Sequence, residues 1–328
     1  MVKHRLLFII NPHSGKGLVK NHLLGIIDCM VKAGYEVTAY ITQAQGDAIA
    51  KVQEDGADYE RIVCCGGDGT LDEVATGMIR AGLKLPLGYI PAGSTNDFAN
   101  SLRLPKRMPD AARVAVTGRE FPCDMGCFNG DSFVYVAAFG LFTAVSYQTP
   151  QELKNVLGHI AYILEGAKSL RDVPPIHMAV EVNGKRFEDD FLYGMVTNSV
   201  SVGGFKGMTG SNVQLDDGMF EGTFIKNPKN PIELNEILTA LGKREDDSDM
   251  IYSFKADEIH IISEKTTWTL DGEYGGEYEE VDIRVLKQRI PLLIEKGKPG
   301  SGKKKAGEQN GTNGRPDNTN SRPDDNLI

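Results

Sequence analysis

The stretch Gly66-Gly67-Asp68-Gly69-Thr70 sets three glycines around one carboxylate and ends on a hydroxyl. With no Cβ in the way, backbone N–H groups at such a turn can come close to a ligand and point at it, which is the chemistry of a phosphate cradle. An acid in that company, Asp68, suits a contact with phosphate through a metal ion or water better than a direct one. A tight strand-to-helix turn would need the glycines but explains neither Asp68 nor Thr70. Two other stretches are of the same kind. Asn11-Pro12-His13-Ser14-Gly15-Lys16-Gly17 is no Walker A loop, because Ile10 stands where that loop has Gly and Gly17 where it has Ser or Thr. Its N–H groups at a helix start can still hold phosphate, with Asn11 and Lys16 as polar contacts, although Asn-Pro is also a plain turn initiator. In Pro91-Ala92-Gly93-Ser94-Thr95-Asn96-Asp97-Phe98-Ala99, Ser94 or Thr95 can cap the next helix, but capping does not call for Asn96 and Asp97 as well.

Each loop follows an apolar run. Arg5–Ile10, Glu36–Ile41, Arg61–Cys65 and Pro86–Ile90 read as strands of a doubly covered parallel sheet. Thr42 stands at the C-terminal end of the second, where open α/β sheets make ligand contacts. Val19, Leu23, Ile26, Ile27, Met30 and Val31 recur at helical spacing, Asp47–Gln53 is a short helix, and Leu71–Ala81 is a helix whose dipole faces whatever anion Gly66–Thr70 holds. Residues 1–119 therefore form a Rossmann-like parallel α/β domain.

The texture then changes. Phe121–Met125, Asp131–Ala138, Ile176–Val182, Asp189–Thr197, Met219–Phe224, Glu258–Ile262, Thr266–Leu270 and Val281–Leu286 are short β-rich runs separated by turns such as Asn129-Gly130 and Asn183-Gly184. That pattern predicts an antiparallel β-sandwich over residues 120–286, with Arg289–Ile294, in 287–296, returning to the first domain. Pro150–Leu170 has a helical period and reads as a core cover or a lipid groove. Lys243–Asp249 reads as a solvated loop. Residues 297–328 hold almost no apolar side chains, cannot offset their ordering entropy and are expected to be disordered; Lys303-Lys304-Lys305 there is a small patch for phospholipid headgroups.

Two acidic turns complete the set. Gln214-Leu215-Asp216-Asp217-Gly218-Met219 brings two carboxylates to a glycine turn, suited to a hard cation such as Mg²⁺ or to a simple Asp-Gly hairpin. In Leu270-Asp271-Gly272-Glu273 the glycine leaves Glu273 projecting from a turn after a strand, where it is either a base for a substrate hydroxyl or a surface acid.

At 328 residues, 41% hydrophobic and 25% charged, the chain has the usage of a globular protein long enough for two domains. A net charge of −9 without a basic stripe excludes a nucleic-acid partner. The odd set Cys29, Cys64, Cys65, Cys123 and Cys127 suits a reducing cytoplasm, and no second Cys/His pair completes a zinc site with Cys123 and Cys127. Neither a signal segment nor a membrane-length apolar run is expected, which gives a cytoplasmic protein.

Asn11-Pro12-x-Ser14-Gly15-Lys16-Gly17, Gly66-Gly67-Asp68-Gly69-Thr70 and Pro91–Ala99, in that order and at strand ends, resemble the diacylglycerol kinase catalytic-domain family, whose relatives include sphingosine and ceramide kinases. The likeness covers residues 3–296 and is nearest to the soluble bacterial lipid kinases. It implies an ATP site in the cleft between the domains, with Asn11, Ser14, Lys16, Thr42, Gly66, Gly67, Asp68, Gly69, Thr70, Gly93 and Ser94 around the nucleotide. It also implies Asp68 and Asp97 ordering metal and water, with Asp124 assisting, Glu273 as the base on the lipid hydroxyl, and Glu277 or another acid near the nucleotide. A structural Mg²⁺ would sit on Asp217 and the carbonyls near Gln214 and Met219. The implied partner is a membrane lipid, diacylglycerol, met by transient contact of a peripheral protein with the membrane surface; a homodimer is left open. Asp72 stands where relatives commonly have Asn, Ser94 where Thr or Asn is frequent, and Met208–Asn212 is poorer in proline than usual. Another lipid alcohol (ceramide-like, sphingoid or phosphatidylglycerol), NAD kinase chemistry and a catalytically silent nucleotide- or lipid-binding regulator are the competing readings.

Overall fold

A computed structural model describes residues 4–140, 174–202, 213–243 and 248–297. The stretches Pro150–Leu170 and Met208–Asn212, residues 244–247 of Lys243–Asp249, and the tail after Gly297 lie outside the described residues.

The first part alternates strand and helix: β1 (His4–Ile10), α1 (Val19–Lys32), β2 (Tyr35–Ile41), α2 (Asp47–Asp55), β3 (Arg61–Gly66), α3 (Asp68–Arg80) and β4 (Leu87–Pro91). These strands pair in parallel in the order β4-β3-β1-β2. The register aligns Ile10 with both Ile41 and Cys65, and Gly66 with Pro91, so the loops after all four strands leave one edge of the sheet. Alternation along β1 sends Leu6, Phe8 and Ile10 to one face and Leu7 and Ile9 to the other. The first face is covered by Val19, Ile26 and Met30 of α1 together with Ala111, Ala112 and Ala115 of a helix over Met108–Thr117; the second is covered by Ala48 and Val52 of α2 and Val74 and Met78 of α3. Full burial of each large aliphatic or aromatic side chain contributes about 1.5–3 kcal/mol, so β1, apolar on both sides, must be a central strand.

The helices that follow are α4 (Asp97–Ser101) and α5 (Met108–Thr117). Beyond them the chain runs β5 (Arg119–Phe128), β6 (Asp131–Phe133), β7 (Val136–Gly140), β8 (Ile176–Val182), β9 (Lys185–Thr197), β10 (Phe220–Lys226), α6 (Pro231–Lys243), β11 (Ile251–Ala256), β12 (Glu258–Leu270) and β13 (Glu273–Ile294). Asn129-Gly130, Asn183-Gly184 and Asp271-Gly272 each have two consecutive positive φ values, the geometry of two-residue hairpins that match strand twist. Phe128, Phe139, Phe191, Phe220, Phe224 and Trp268 fill a second core, with the Trp268 and Phe139 rings 4.9 Å apart.

The strands of the two parts belong to one 13-stranded sheet with the path β11-β10-β9-β7-β12-β13-β4-β3-β1-β2. The chain is thus a mixed α/β, strand-rich fold, and the expected sandwich shares its hydrogen-bond ladder with the parallel part. β13 makes the join: it pairs antiparallel with β12 and β5, then parallel with β4 at Leu292–Leu87. It is continuous from Glu273 to Ile294, taking in the runs expected at Val281–Leu286 and Arg289–Ile294. Its irregularity falls between Leu286 and Ile290, where Gln288 has φ 50° and its N–H donates to Asp124 Oδ1 at 2.6 Å. Arg289 beside it donates to the carbonyls of Leu83 (2.8 Å) and Ile79 (3.1 Å) at the end of α3. The expected Asp131–Ala138 strand is two, β6 and β7, while Glu258–Ile262 and Thr266–Leu270 are one irregular β12.

Candidate functional site

The glycine stretch is the junction of β3 and α3. Gly66 ends the strand, Gly67 is the N-cap in extended conformation, and Asp68-Gly69-Thr70 forms the first helical turn. The helix therefore begins three residues before the Leu71 start read from apolar spacing, because its first turn is polar and faces the loops. Its N-terminal end, with unsatisfied N–H groups and positive dipole, is a ready anion site. Three neighbours fix it. Ser14 Oγ accepts from Gly67 N–H (3.1 Å), Asn11 Nδ2 donates to Thr70 Oγ1 (3.1 Å), and Ala92 N–H donates to Gly66 O (2.7 Å).

The Pro91–Ala99 loop closes on itself through Asn96. That residue, at φ 53°, is the N-cap of α4 in place of the expected Ser94 or Thr95, and its side chain accepts from Gly93 N–H (2.9 Å) and donates to Gly93 O (2.8 Å). Gly93 is required by close approach, since a Cβ there would stand 2.7 Å from Gly67 Cα. At Gly69, by contrast, a Cβ would meet nothing within 4 Å.

A cleft of about 590 Å³ opens beside these loops and is lined by Asn11, Ser14, Thr42, Gly67, Gly69 and Thr70 together with Glu273. Sequence reasoning named all seven. It missed His13, Gln43, Ile49 and Glu73, which also line the cleft. Gln43 follows Thr42 at the end of β2, so the strand-end rule that found Thr42 extends to it. Glu73 lies one turn into α3 and accepts from the N–H groups of Gly46 (3.0 Å) and Ala48 (3.2 Å) at the start of α2. No Lys or Arg is among the described residues lining the cleft; Lys16 is exposed on its loop.

Asp68 and Asp97 sit behind the glycine turns. Asp68 accepts from Asp97 N–H (2.8 Å) and Tyr89 OH (3.3 Å), and the buried Asp97 accepts from Ser201 Oγ (2.8 Å). Burial pushes the Asp68 carboxyl up to about 7, against the Asp97 N–H bond, which favours the ionised form. Glu273 reaches the cleft because Asp271-Gly272 is the hairpin between β12 and β13, with Leu270 opposite Glu273. What burial it has, and then the Glu73 carboxylate, raises its pKa above the ordinary glutamate value.

Three further groups that the sequence singled out lie outside the lining of this cleft. Asp124 is fully buried beneath the Asp216-Asp217-Gly218 turn, accepting from Gly218 N–H (2.6 Å) and Gln288 N–H, so its bonds tie that turn to β13 instead of reaching the cleft. Glu277 is exposed and ion-paired with Lys265 at 3.0 Å, outside the cleft lining, because its position on β13 faces β12. On the second acidic turn, Asp217 pairs with Lys255 Nζ (2.7 Å) and accepts from Met219 N–H (3.1 Å), with Gln214 exposed nearby. Among the described residues no group of three or more His, Cys, Asp or Glu side chains is arranged to hold a metal, and no helix is long and apolar enough to cross a membrane.

The architecture and the motifs have known counterparts. Residues 5–128 match the family model described as the diacylglycerol kinase catalytic domain. A protein named diacylglycerol kinase from Bacillus subtilis (strain 168) is 36% identical over 277 residues, covering 83% of this chain and 90% of that one. Another of that name from Staphylococcus carnosus (strain TM300) is 35% identical over 302 residues, covering 90% and 96%. A crystal structure of a candidate diacylglycerol kinase from Bacillus anthracis str. Sterne superposes with TM-score 0.74 at 26% identity, over 90% of this chain and 99% of that one.

Proposed function

The chain belongs to the diacylglycerol kinase catalytic-domain family, and from that premise we propose that it transfers the γ-phosphoryl group of ATP to the primary hydroxyl of diacylglycerol, giving phosphatidic acid. One observation carries this reading: Glu273, delivered by the β12–β13 hairpin, lines the same cleft as the glycine turn and the Asn11 and Ser14 loop. An acceptor alcohol and a triphosphate held there would meet a carboxylate at the point of transfer.

Gly67, Gly69 and Thr70 hold the phosphates through the first turn of α3, with Asn11, Ser14, Thr42, Gly93 and Ser94 around them. Phosphoryl transfer asks the protein mainly for alignment and charge stabilisation. Glu273 takes the proton of the attacking hydroxyl, and its raised pKa makes it a stronger base than an ordinary glutamate while it stays ionised on the alkaline side. Asp68 and Asp97, braced by Tyr89 and Ser201, order water at the phosphates.

The donor chemistry fits Mg²⁺ arriving with the nucleotide: the cleft and its back wall carry Asp68, Asp72, Glu73, Asp97 and Glu273, and neither Lys nor Arg is among its described lining. Bound with the phosphates, that ion supplies charge neutralisation which the lining lacks. A further Mg²⁺ on Asp217 and the carbonyls near Gln214 and Met219 would have to take Asp217 from Lys255.

Purified protein incubated with ATP labelled in the γ-phosphate, a panel of lipid alcohols and NAD tests the reading. Label in phosphatidic acid supports it. Label only in another lipid reassigns the acceptor, label only in NADP makes the chain a NAD kinase, and nucleotide binding without turnover makes it a silent regulator.

A further inference from the structure

At the end of β9 the chain reads Thr197-Asn198-Ser199-Val200-Ser201, and its four polar side chains are all buried. A hydroxyl or amide taken out of water without a partner costs free energy, so the partners say what such a run is for. Thr197 Oγ1 donates to Tyr135 O (2.7 Å) and Asn198 Nδ2 to Asp124 O (2.9 Å), ties to nearby backbone. The two serines cross to α4 instead. Ser199 Oγ lies 2.8 Å from Ser101 Oγ, and Ser201 Oγ donates to Asp97 Oδ1 at 2.8 Å, a bond between residues 104 apart in sequence.

Asp97 and Ser101 are the first and last residues of α4, four apart and so on one face of it, and the segment carrying Ser199 and Ser201 docks there at two points. Backbone closes the seam: Val200 N–H donates to Ser101 Oγ (3.1 Å) and Ser201 N–H to Ser199 Oγ (3.3 Å). The two points differ in kind. Ser101 and Ser199 are neutral hydroxyls, whereas Asp97 is a carboxyl side chain, 2% exposed, whose own N–H donates to Asp68 Oδ2 at 2.8 Å. Asp97 also follows Asn96, the residue that closes its loop on Gly93. A carboxylate makes the stronger bond with a hydroxyl, and a donor that is itself locked in the interior holds the acceptor in one orientation.

The geometry points to Ser201 as the positioning residue for Asp97: its hydroxyl donates to Oδ1 and holds that carboxylate beside Asp68 and the glycine turns, while the Ser101–Ser199 contact seats the segment from which Ser201 reaches. The strand-rich part of the chain thereby sets an acid of the parallel part. The effect on turnover rests on the kinase reading, but the contact itself does not.

Full-length wild type, Ser201→Ala, Asp97→Ala and the double variant test it, with kcat and KM for ATP read from transfer of γ-label to diacylglycerol in vesicles and stability read from urea unfolding. Misplacing a working group by about 1 Å costs up to about a hundredfold, so Ser201→Ala should lose about ten- to a hundredfold in kcat, with KM for ATP little changed. On the Asp97→Ala background the same change should cost no further kcat, because the carboxylate it places is gone. Ser199→Ala gives a comparison that leaves Asp97 intact: it removes a buried hydroxyl of the same seam but keeps the donor on Asp97, so at a similar loss of stability it should lose less kcat than Ser201→Ala. A Ser201→Ala enzyme with wild-type kcat, a kcat loss that is the same with and without Asp97, or equal kcat losses from Ser199→Ala and Ser201→Ala reduces the contact to a structural tie and overturns the proposal. Unfolding gives an answer that needs no activity. The urea midpoint should shift less on Ser201→Ala when Asp97 is already Ala than in the wild type, and equal shifts overturn the bond between the two side chains. A wild type that labels no lipid removes the kinase reading alone, and the unfolding comparison still decides the contact.

Discussion

Gly69→Ala separates what the glycine turn does for the fold from what it does for a ligand. Gly69 is the second residue of α3, and an added Cβ meets no atom within 4 Å. In the free protein the change removes unfolded-chain entropy and raises helix propensity, a gain of up to about 1 kcal/mol. At roughly 2–4 °C per kcal/mol, the ligand-free melting temperature should rise by about 1–3 °C. Gly69 also lines the cleft, so the same methyl group takes up space at the turn assigned to phosphate. Losing one charge-assisted bond there costs about 1.5–3 kcal/mol, so the Kd for Mg·ATP should rise by roughly ten- to a hundredfold. Gly93→Ala should behave differently: its Cβ falls 2.7 Å from Gly67 Cα, so melting temperature and nucleotide affinity should drop together. Differential scanning fluorimetry and isothermal calorimetry read both quantities. A Gly69→Ala protein that melts higher and binds Mg·ATP as tightly as wild type would refute the placement of phosphate over this turn.

Other consequences follow from the same geometry. Asp68, held up to about 7 by burial, carries stability that is present below the ordinary aspartate pKa and lost as pH rises through about 7; Asp68→Asn should therefore melt above wild type by more at pH 8 than at pH 5, while turnover falls. Arg289→Met should cost about 1–3 kcal/mol in urea unfolding, because it strips the donors from the Leu83 and Ile79 carbonyls that tie β13 to α3. Chelating Mg²⁺ should abolish phosphoryl transfer and weaken ATP binding, since the cleft lining offers carboxylates without Lys or Arg; ATP bound equally well in excess EDTA would contradict that charge argument.

The parallel half was legible because each of its signals is local. Strands such as Leu6–Ile10 are buried on both faces and so read as unbroken apolar runs, and the glycine loops follow them directly. Glu273 was legible for the same reason: Asp271-Gly272 is a two-residue hairpin, and the residue after it must project. The start of α3 was displaced because its first turn, Asp68-Gly69-Thr70, is polar and leaves no apolar period. Asn96 could not be preferred over Ser94 or Thr95 as the cap without knowing that the loop closes back on Gly93. The continuity of β13 was hidden by the break at Gln288, which answers to Asp124, 164 residues away in sequence. The partners of Asp124 and Glu277 were hidden by the same limitation, since an acid gives no sign in sequence of whether it will bind a backbone N–H or an opposing Lys.

The central claim is that one carboxylate, Glu273, activates the acceptor hydroxyl beside phosphates held by the glycine turn. The most direct measurement is transfer of label from γ-labelled ATP to diacylglycerol by wild type and by Glu273→Gln at equal ATP occupancy. Loss of a general base predicts a fall in kcat of about 10²–10⁴-fold with ATP affinity little changed. Glu273→Gln producing labelled phosphatidic acid at the wild-type rate would contradict the account.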